Sequence, residues 1–221
     1  MASQSRERQF YTDTQLNEIA KDIDRAITIS VNKIIEANHM VYDLSEVKTI
    51  LSKAHKIVVE NCGCRTEYGN CNSPLDVCLN LDEEAEVSLK REGNGAHEIT
   101  FDEALKVLER SHKAGLVHMA YMMKGHDKPG LICSCCTCCC HTLGGLIRNG
   151  IHAKVLNSNY IAEDNPTTCT GCGTCVDRCV FKARKMDERS IVYDKSLCMG
   201  CGLCVTTCPS NAIMMTPREL S

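Results

Sequence analysis

The chain has 221 residues and a net charge of −3, from 28 acidic and 25 basic residues. The two signs are interspersed and no basic block could follow a phosphate backbone, so we expect no nucleic acid among its partners. No apolar run reaches about 18 residues, which excludes an obvious membrane span. Residues 1–10 are polar and lack the apolar centre of a signal peptide, so we expect a cytoplasmic protein.

Eighteen cysteines set the chain apart from an ordinary globular sequence with 43% apolar residues, 4% aromatic residues and no tryptophan. Such a count indicates either disulfides or metal binding. Neighbouring cysteines such as Cys135 and Cys136 are poorly placed to bridge one another, and a reducing cytosol keeps thiols free. The sequence therefore predicts thiolates that bind iron, in an anaerobic or low-oxygen cell.

The cysteines also divide the chain. Residues 1–61 contain none, and the eighteen fall within 62–78, 133–140 and 169–208. We predict an N-terminal helical region over 1–57, a cysteine-rich cluster-binding region over 58–158 and a separate C-terminal domain over 159–221. Helices are expected first and mixed elements follow, so the predicted fold class is α+β.

Apolar residues recur at steps of three and four between Thr14 and Met40, which predicts an amphipathic helix. They are Leu16, Ile19, Ile23, Ala26, Ile27, Val31, Ile34 and Ile35. A homodimer through that face is one expectation. A second helix is predicted over Glu46–Ala54, behind Ser45, and a strand over Lys56–Glu60.

In the middle of the chain, Thr100 and Glu103 have the spacing of a capping box, and Gly115 is placed to end the helix that follows it. Leu116–Met123 and Pro129–Cys133 are predicted strands. A helix is expected to begin within Thr142–Arg148.

Ten cysteines lie in the first two groups. They are Cys62, Cys64, Cys71, Cys78, Cys133, Cys135, Cys136, Cys138, Cys139 and Cys140. If each cluster takes four cysteines, ten suffice for two further 4Fe-4S cubanes with two left over, or for one cubane and a less regular site. We therefore expect one or two additional iron–sulfur clusters in the N-terminal part. The simplest partition keeps the four of 62–78 together, but neighbouring side chains point in different directions, so ligation shared between the groups stays open.

Three other side chains are candidates beside these thiols. Arg65 follows Cys64 and would donate N–H groups to a cluster sulfide, or form a surface salt bridge instead. His141 and His118 would bind iron or carry protons, or simply pack.

The C-terminal group contains an internal repeat, CTGCGTCVDRC at 169–179 and CMGCGLCVTTCP at 198–209. Each CxxCxxC loop offers three thiolates, and glycines between the cysteines let the backbone turn sharply. Zinc sites share the CxxC spacing, but two interlocked copies favour iron–sulfur clusters. About 55 residues here resemble the bacterial ferredoxins that carry two 4Fe-4S clusters. The N-terminal two thirds resembles ferredoxin-like iron–sulfur proteins of anaerobes, from which we infer no activity.

The ferredoxin resemblance implies that the last cysteine of each copy binds the cluster of the other copy. A first cysteine set would then be Cys169, Cys172, Cys175 and Cys208. The second cysteine set would be Cys198, Cys201, Cys204 and Cys179. Pro209 follows Cys208 as in the family, whereas Val180 follows Cys179 where proline is usual.

Two functions stay open. The first is an electron carrier or electron-transfer subunit that serves redox partner proteins. The second is a reductase, in which the C-terminal clusters feed a catalytic and non-cubane iron–sulfur site made from the 62–78 and 133–140 cysteines. A scaffold or cluster carrier is the least favoured, because it has little need of two dedicated ferredoxin clusters.

Overall fold

A computed structural model describes most of the chain. The described residues are 10–12, 14, 15, 18, 23–29, 45–123, 126–149, 155, 156 and 158–218. The helices are α1 (Ser45–Ser52), α2 (Gly63–Tyr68), α3 (Glu83–Leu89), α4 (Phe101–Lys113), α5 (His141–Asn149) and α6 (Thr174–Arg178). The strands are β1 (Ile23–Ile29), β2 (Ile57–Asn61), β3 (Asp76–Leu81), β4 (His97–Glu98), β5 (Val117–Met123), β6 (Leu131–Cys135), β7 (Val155–Leu156), β8 (Tyr160–Asp164), β9 (Arg184–Asp187), β10 (Ser190–Tyr193) and β11 (Ile213–Pro217).

Seven strands form one sheet in the order β4-β2-β3-β6-β5-β1-β7. All neighbours in it are antiparallel except β1 and β7, which are parallel. Helices and antiparallel strands thus share the chain, in agreement with the predicted α+β class. The sheet contains strands from both the predicted N-terminal region and the cysteine-rich region.

The predicted helix over Thr14–Met40 is wrong for residues 23–29, which form β1. Its first turn agrees, because residues 14, 15 and 18 are helical and Thr12 and Gln15 cap one another. In β1, isoleucine and threonine suit an extended backbone, and β5 offers a full antiparallel partner with Ile27 opposite Ala120. Tertiary pairing therefore overrides the helical spacing. Residues 30–40 of the prediction lie outside the described residues. Because residues 23–29 form a strand, they do not supply the apolar helix face through which a homodimer was expected.

The other element predictions in this part of the chain are confirmed. The helix behind Ser45 is α1, the strand over Lys56–Glu60 is β2, and the strands before the second cysteine group are β5 and β6. The predicted helix within Thr142–Arg148 is α5. Thr100 and Glu103 form the capping box of α4. The backbone N–H of Gly115, at a φ of 83°, bonds to the carbonyl of His112 just after that helix ends.

Helix α4 covers one face of the sheet. Leu108 and Ala104 of α4 are fully buried against Val59, Leu79 and Ile132 of three adjacent strands. This is the aliphatic half of the core, and it contains no cysteine among the residues described.

The opposite face of the sheet holds the sulfur-rich half. Because side chains alternate along a strand, Val117, Met119 and Tyr121 of β5 lie on the other face from Ala120. Cys133 and Cys135 of β6 belong to the same face. The sequence therefore folds into a sheet with a helix on one side and thiols on the other.

The C-terminal segment contains two small antiparallel pairs, β8 with β11 and β9 with β10. The second pair lies between the two copies of the repeat. Helix α6 and a 3-10 turn over Lys195–Leu197 connect these strands to the cysteine loops. In the part of the chain that the structure describes, no helix has the length and apolarity needed to cross a membrane.

Replacing Thr100 by alanine removes the hydroxyl that accepts the Glu103 N–H at 3.3 Å. We expect the free energy of unfolding to fall by about 1 kcal/mol, the usual contribution of such a cap. Urea unfolding followed by far-UV circular dichroism, on anaerobically purified protein of equal iron content, measures this change. Thr100→Ser keeps the hydroxyl and is the control; equal midpoints for Thr100→Ala and the wild-type protein would contradict the prediction.

Candidate metal centres

The two cysteine loops of the C-terminal repeat depend on glycines in left-handed backbone conformations. Gly171 and Gly200 have φ values of 66° and 74°, a region where residues with a side chain are strained. A Cβ on Gly171 would lie 2.6 Å from the Arg189 carbonyl oxygen, and one on Gly200 would collide with the Tyr160 carbonyl oxygen. Both loops therefore turn where only glycine fits.

One cavity collects cysteines from both copies of the repeat. Its walls include Cys169, Cys172 and Cys175 of the first copy together with Cys208 of the second. Cys169 and Cys172 are exposed, whereas Cys175 is buried. The structure thus brings together the four residues of the first cysteine set, in a space open to solvent on one side.

The second cysteine set is also brought together, in a more enclosed place. Burial, together with the charges of Cys198 and Cys179, raises the pKa of Cys204 to about 12, although the charge of Arg184 acts to lower it. The pKa of Cys201 is raised by burial and by the same neighbours. Thiols held at such pKa values become good ligands only when a cation takes the place of the proton.

Arg184 lies between the two sets, and sequence reasoning missed it. It is 3% exposed and makes a two-pronged ion pair with Asp164, with N–O distances of 2.7 and 2.6 Å. Its guanidinium also stacks on the Tyr193 ring, and its charge acts on both Cys175 and Cys204. The sequence offers no local signal for it, because burial along β9 does not alternate: Arg184 is buried, whereas Lys185 and Met186 are both exposed.

Six of the ten N-terminal thiols form a closed ring, which we call the six-thiol ring. The thiol of each member lies near two others and shifts their pKa values. In ring order they are Cys62, Cys64, Cys140, Cys135, Cys133 and Cys78. The sheet explains one contact of the ring: Leu79 and Ile132 are paired on adjacent antiparallel strands, Cys78 lies just before Leu79, and Cys133 lies just after Ile132.

Charge is unevenly distributed around the six-thiol ring. Contact with Cys64 and Cys78 lowers the pKa of Cys62, and contact with Cys133 and Cys140 lowers the pKa of Cys135 to about 7. The pKa values of Cys64, Cys78, Cys133 and Cys140 are instead raised. A thiolate at one position thus opposes ionisation of its neighbours, so bound cations are needed for all six thiols to ionise together.

Polar side chains surround Cys64 in this ring. The His141 Nδ1 lies 3.4 Å from its sulfur, and the Tyr11 hydroxyl lies 3.9 Å away as a donor. Burial lowers the pKa of His141, so its ring is neutral near pH 7. His141 therefore lies beside a thiol as considered from the sequence, whereas His118 hydrogen-bonds to Ser134 Oγ at 3.0 Å.

The other four N-terminal thiols form a second group, which we call the four-thiol group. Its members are Cys71, Cys136, Cys138 and Cys139, whose sulfur atoms all lie within 4.8 Å of one another. Cys71 thus joins the second cysteine group of the sequence and not its own neighbours Cys62, Cys64 and Cys78. The structure shows the shared grouping, not the simplest partition.

Arg65 lies between the two N-terminal groups. It is 2% exposed and donates from both terminal nitrogens to the Ser134 carbonyl at 3.1 Å. Among the described residues no carboxylate forms an ion pair with it, but Cys62 and Cys136 both act on its charge. The surface salt bridge considered from the sequence is therefore wrong. A buried guanidinium requires negative charge nearby, and here thiolates supply it.

The C-terminal segment packs against the thiol-bearing face of the sheet. Leu203, 1% exposed, belongs to the same apolar cluster as Cys135 and Cys140, and Val180 and Cys201 pack against that cluster. Arg178 donates to the His112 carbonyl at 2.7 Å, and His112 Nε2 lies 2.9 Å from Thr206 Oγ1. Val180, where the ferredoxins carry proline, thus contributes to this contact.

Residues 191–214 match the family model of the 4Fe-4S binding domain, Fer4. The match includes the second copy of the repeat, with Cys198, Cys201, Cys204 and Cys208. No curated protein matches the chain. The prediction of a ferredoxin-like iron–sulfur segment in the C-terminal part is therefore confirmed, and its extension to two clusters stays a prediction.

We expect Gly200→Ala to destabilise the C-terminal segment more than Gly93→Ala. Both positions have positive φ, which costs an alanine about 1–2 kcal/mol. Only Gly200 faces a backbone oxygen, because a Cβ on Gly93 meets nothing within 4 Å. Thermal unfolding and iron content measure the difference, and equal melting temperatures and iron contents for the two variants would contradict it.

Replacing Arg184 by glutamine removes a buried positive charge that acts on cysteines of both sets. Because reduction adds negative charge, we expect the reduction potential of the C-terminal segment to become more negative by on the order of 60 mV, a tenfold change for one electron. Redox titration followed by EPR measures the shift. Lys185→Gln, at the exposed neighbouring position, is the control, and an equal shift in both variants would contradict the role of Arg184.

Proposed function

We propose that this chain is an iron–sulfur electron-transfer protein, a polyferredoxin-like carrier or subunit that relays single electrons at low potential. The observation that carries the proposal is the cavity that collects Cys169, Cys172 and Cys175 with Cys208 from the other copy of the repeat. This is the crossed arrangement that the ferredoxin resemblance implies for two 4Fe-4S clusters. The neighbouring set of Cys198, Cys201, Cys204 and Cys179 would hold the second cluster.

Clusters held by four thiolates take up and release one electron with little change in geometry. The chain's own residues supply the conditions for this. Arg184 and Asp164 fix a positive charge between the two sets, and the glycine loops let the backbone approach closely. Burial around Cys201 and Cys204 keeps water away from the second set.

The cysteine groups are arranged in series. The first set is exposed at Cys169 and Cys172, where a redox partner protein has access. The second set touches the apolar cluster that contains Leu203, Cys135 and Cys140. Redox centres of a relay need short separations between neighbouring groups, and this packing supports an order that runs from the exposed set to the six-thiol ring.

The ten N-terminal cysteines would then carry one or two further metal centres. The six-thiol ring has too many closely placed thiols for simple packing, and Arg65 supplies a buried cation beside it. We place the protein in the cytoplasm of an anaerobic cell, because so many free thiols persist only where reducing conditions and low oxygen protect them.

A second candidate function is a reductase whose catalytic site is the six-thiol ring. The observation that favours it is the pair of polar groups at Cys64, the His141 Nδ1 and the Tyr11 hydroxyl. In a carrier, N–H and O–H groups beside a ligand sulfur tune the reduction potential; in a reductase they also deliver the protons that accompany the electrons. The C-terminal sets would supply the electrons in this case.

Double variants test the crossed ligation. Cys172→Ser and Cys208→Ser each remove a ligand of the first set, so each should cost about four irons per chain, and the pair together should cost no more than either alone. Cys201→Ser with Cys208→Ser removes ligands of both sets and should cost about eight. Iron and acid-labile sulfide analysis of anaerobic protein measures these losses.

An iron loss that is additive for Cys172→Ser with Cys208→Ser would place the two cysteines in different clusters and contradict the crossed arrangement. Full iron content in all of these variants would contradict cluster binding by the C-terminal cysteines altogether.

EPR of the dithionite-reduced protein separates the two functions. A carrier should show cubane signals that do not change with added cyanide, because every iron has a protein ligand. A reductase should show a further signal that changes with cyanide and is altered in His141→Gln. His126→Gln, at an exposed histidine whose Nδ1 lies 3.9 Å from a Glu83 carboxylate oxygen, is the matched control.

A further inference from the structure

The four-thiol group differs in spacing from the C-terminal sets. Its four sulfurs all lie within 4.8 Å of one another, and the Cys138 and Cys139 sulfurs are 3.8 Å apart. Four thiolates around a single tetrahedral ion at about 2.3 Å are separated by about 3.8 Å from each other. In a cubane each thiolate binds a different iron, so the four sulfurs stand further apart.

Local structure holds these thiols together. Cys136, Cys138 and Cys139 lie in the turn that follows β6, and Cys71 lies in the loop between α2 and β3. The Asn70 side chain joins the two segments by donating to the Cys138 carbonyl at 2.8 Å. The turn is thus connected to the loop before any ion binds.

The surroundings of the four-thiol group suit an anionic site. Although burial raises the pKa of Cys71, hydrogen bonds from Ser73 and contacts with Cys138 and Cys136 lower it to about 7. The positive charge of the buried Arg65 guanidinium lies near Cys136 and interacts with it. Four thiolates around a divalent ion carry a net charge of −2, and these donors and this cation offset part of it.

We propose that Cys71, Cys136, Cys138 and Cys139 bind a single divalent metal ion of the zinc type in a tetrahedral four-thiolate site. The ion fastens the loop after α2 to the turn after β6. All four coordination positions are filled by protein, which leaves no open position for a substrate, so the role is structural. Cys71 and Cys138 are half-buried, which gives the ion access from solvent.

Cobalt is a suitable probe, because tetrahedral cobalt thiolates absorb strongly in the visible range. Full-length protein purified without oxygen is treated with a chelator and titrated with Co²⁺ in the absence of sulfide and added iron. We expect one Co²⁺ per chain, with four sulfur neighbours and no metal neighbour in X-ray absorption. Cys71→Ser and Cys139→Ser should abolish this binding, whereas Cys135→Ser, a member of the six-thiol ring on the same segment, should retain it.

Two results would overturn the proposal. One is cobalt binding that is the same in Cys71→Ser as in wild-type protein. The other is a loss of about four irons and four sulfides per chain in Cys71→Ser, which would assign these thiols to a cubane. The iron and EPR signal of the C-terminal sets, measured on the same samples, report on folding. These C-terminal signals also distinguish a failure of the proposed four-thiolate metal site from a failure of the electron-transfer proposal, on which this inference does not rest.

Discussion

Negative charge on sulfur, confined in a poorly polar interior, is the constraint on which the rest of this structure depends. A buried thiolate is costly unless a cation compensates it. Two buried guanidinium groups supply positive charge. Arg65 lies between the six-thiol ring and the four-thiol group, and Arg184 lies between the two C-terminal sets. Arg184 is already paired with Asp164, and Arg65 is a single charge beside ten thiols, so most of these thiols stay protonated unless bound cations replace their protons.

The sheet is the frame that makes this arrangement possible. Its aliphatic face is closed by α4, which leaves the opposite face free to carry Cys133 and Cys135 and to receive the C-terminal segment. Leu203 and Val180 fill the contact between the segment and the sheet. A ferredoxin-like unit thus becomes part of one continuous core here, and Val180, which departs from the family pattern, is one of the residues that join it.

Sequence reasoning succeeded where the signal is local. The capping box at Thr100, the strands β5 and β6 and the repeated cysteine loops are all specified by residues a few positions apart. Prediction from the sequence failed where residues distant along the chain determine the local structure. Residues 23–29 have helical spacing of apolar residues, yet they pair with β5 as a strand. Cys71 lies with the cysteines of the turn at 136–139 and not with its sequence neighbours. Arg184 looks like Lys185 until the chain folds, because burial is set by the surrounding strands.

The position of β1 has a consequence for how the protein is made. Ile27 pairs with Ala120 on one side and with Leu156 on the other, so the earliest strand to leave the ribosome waits for partners that are translated much later. Contacts this distant along the chain close slowly, since loop entropy must be overcome first. The seven-stranded sheet is complete only when residues 155 and 156 of β7 have been made, after all ten thiols of the first two cysteine groups. Those thiols are therefore translated before the sheet that carries them can close.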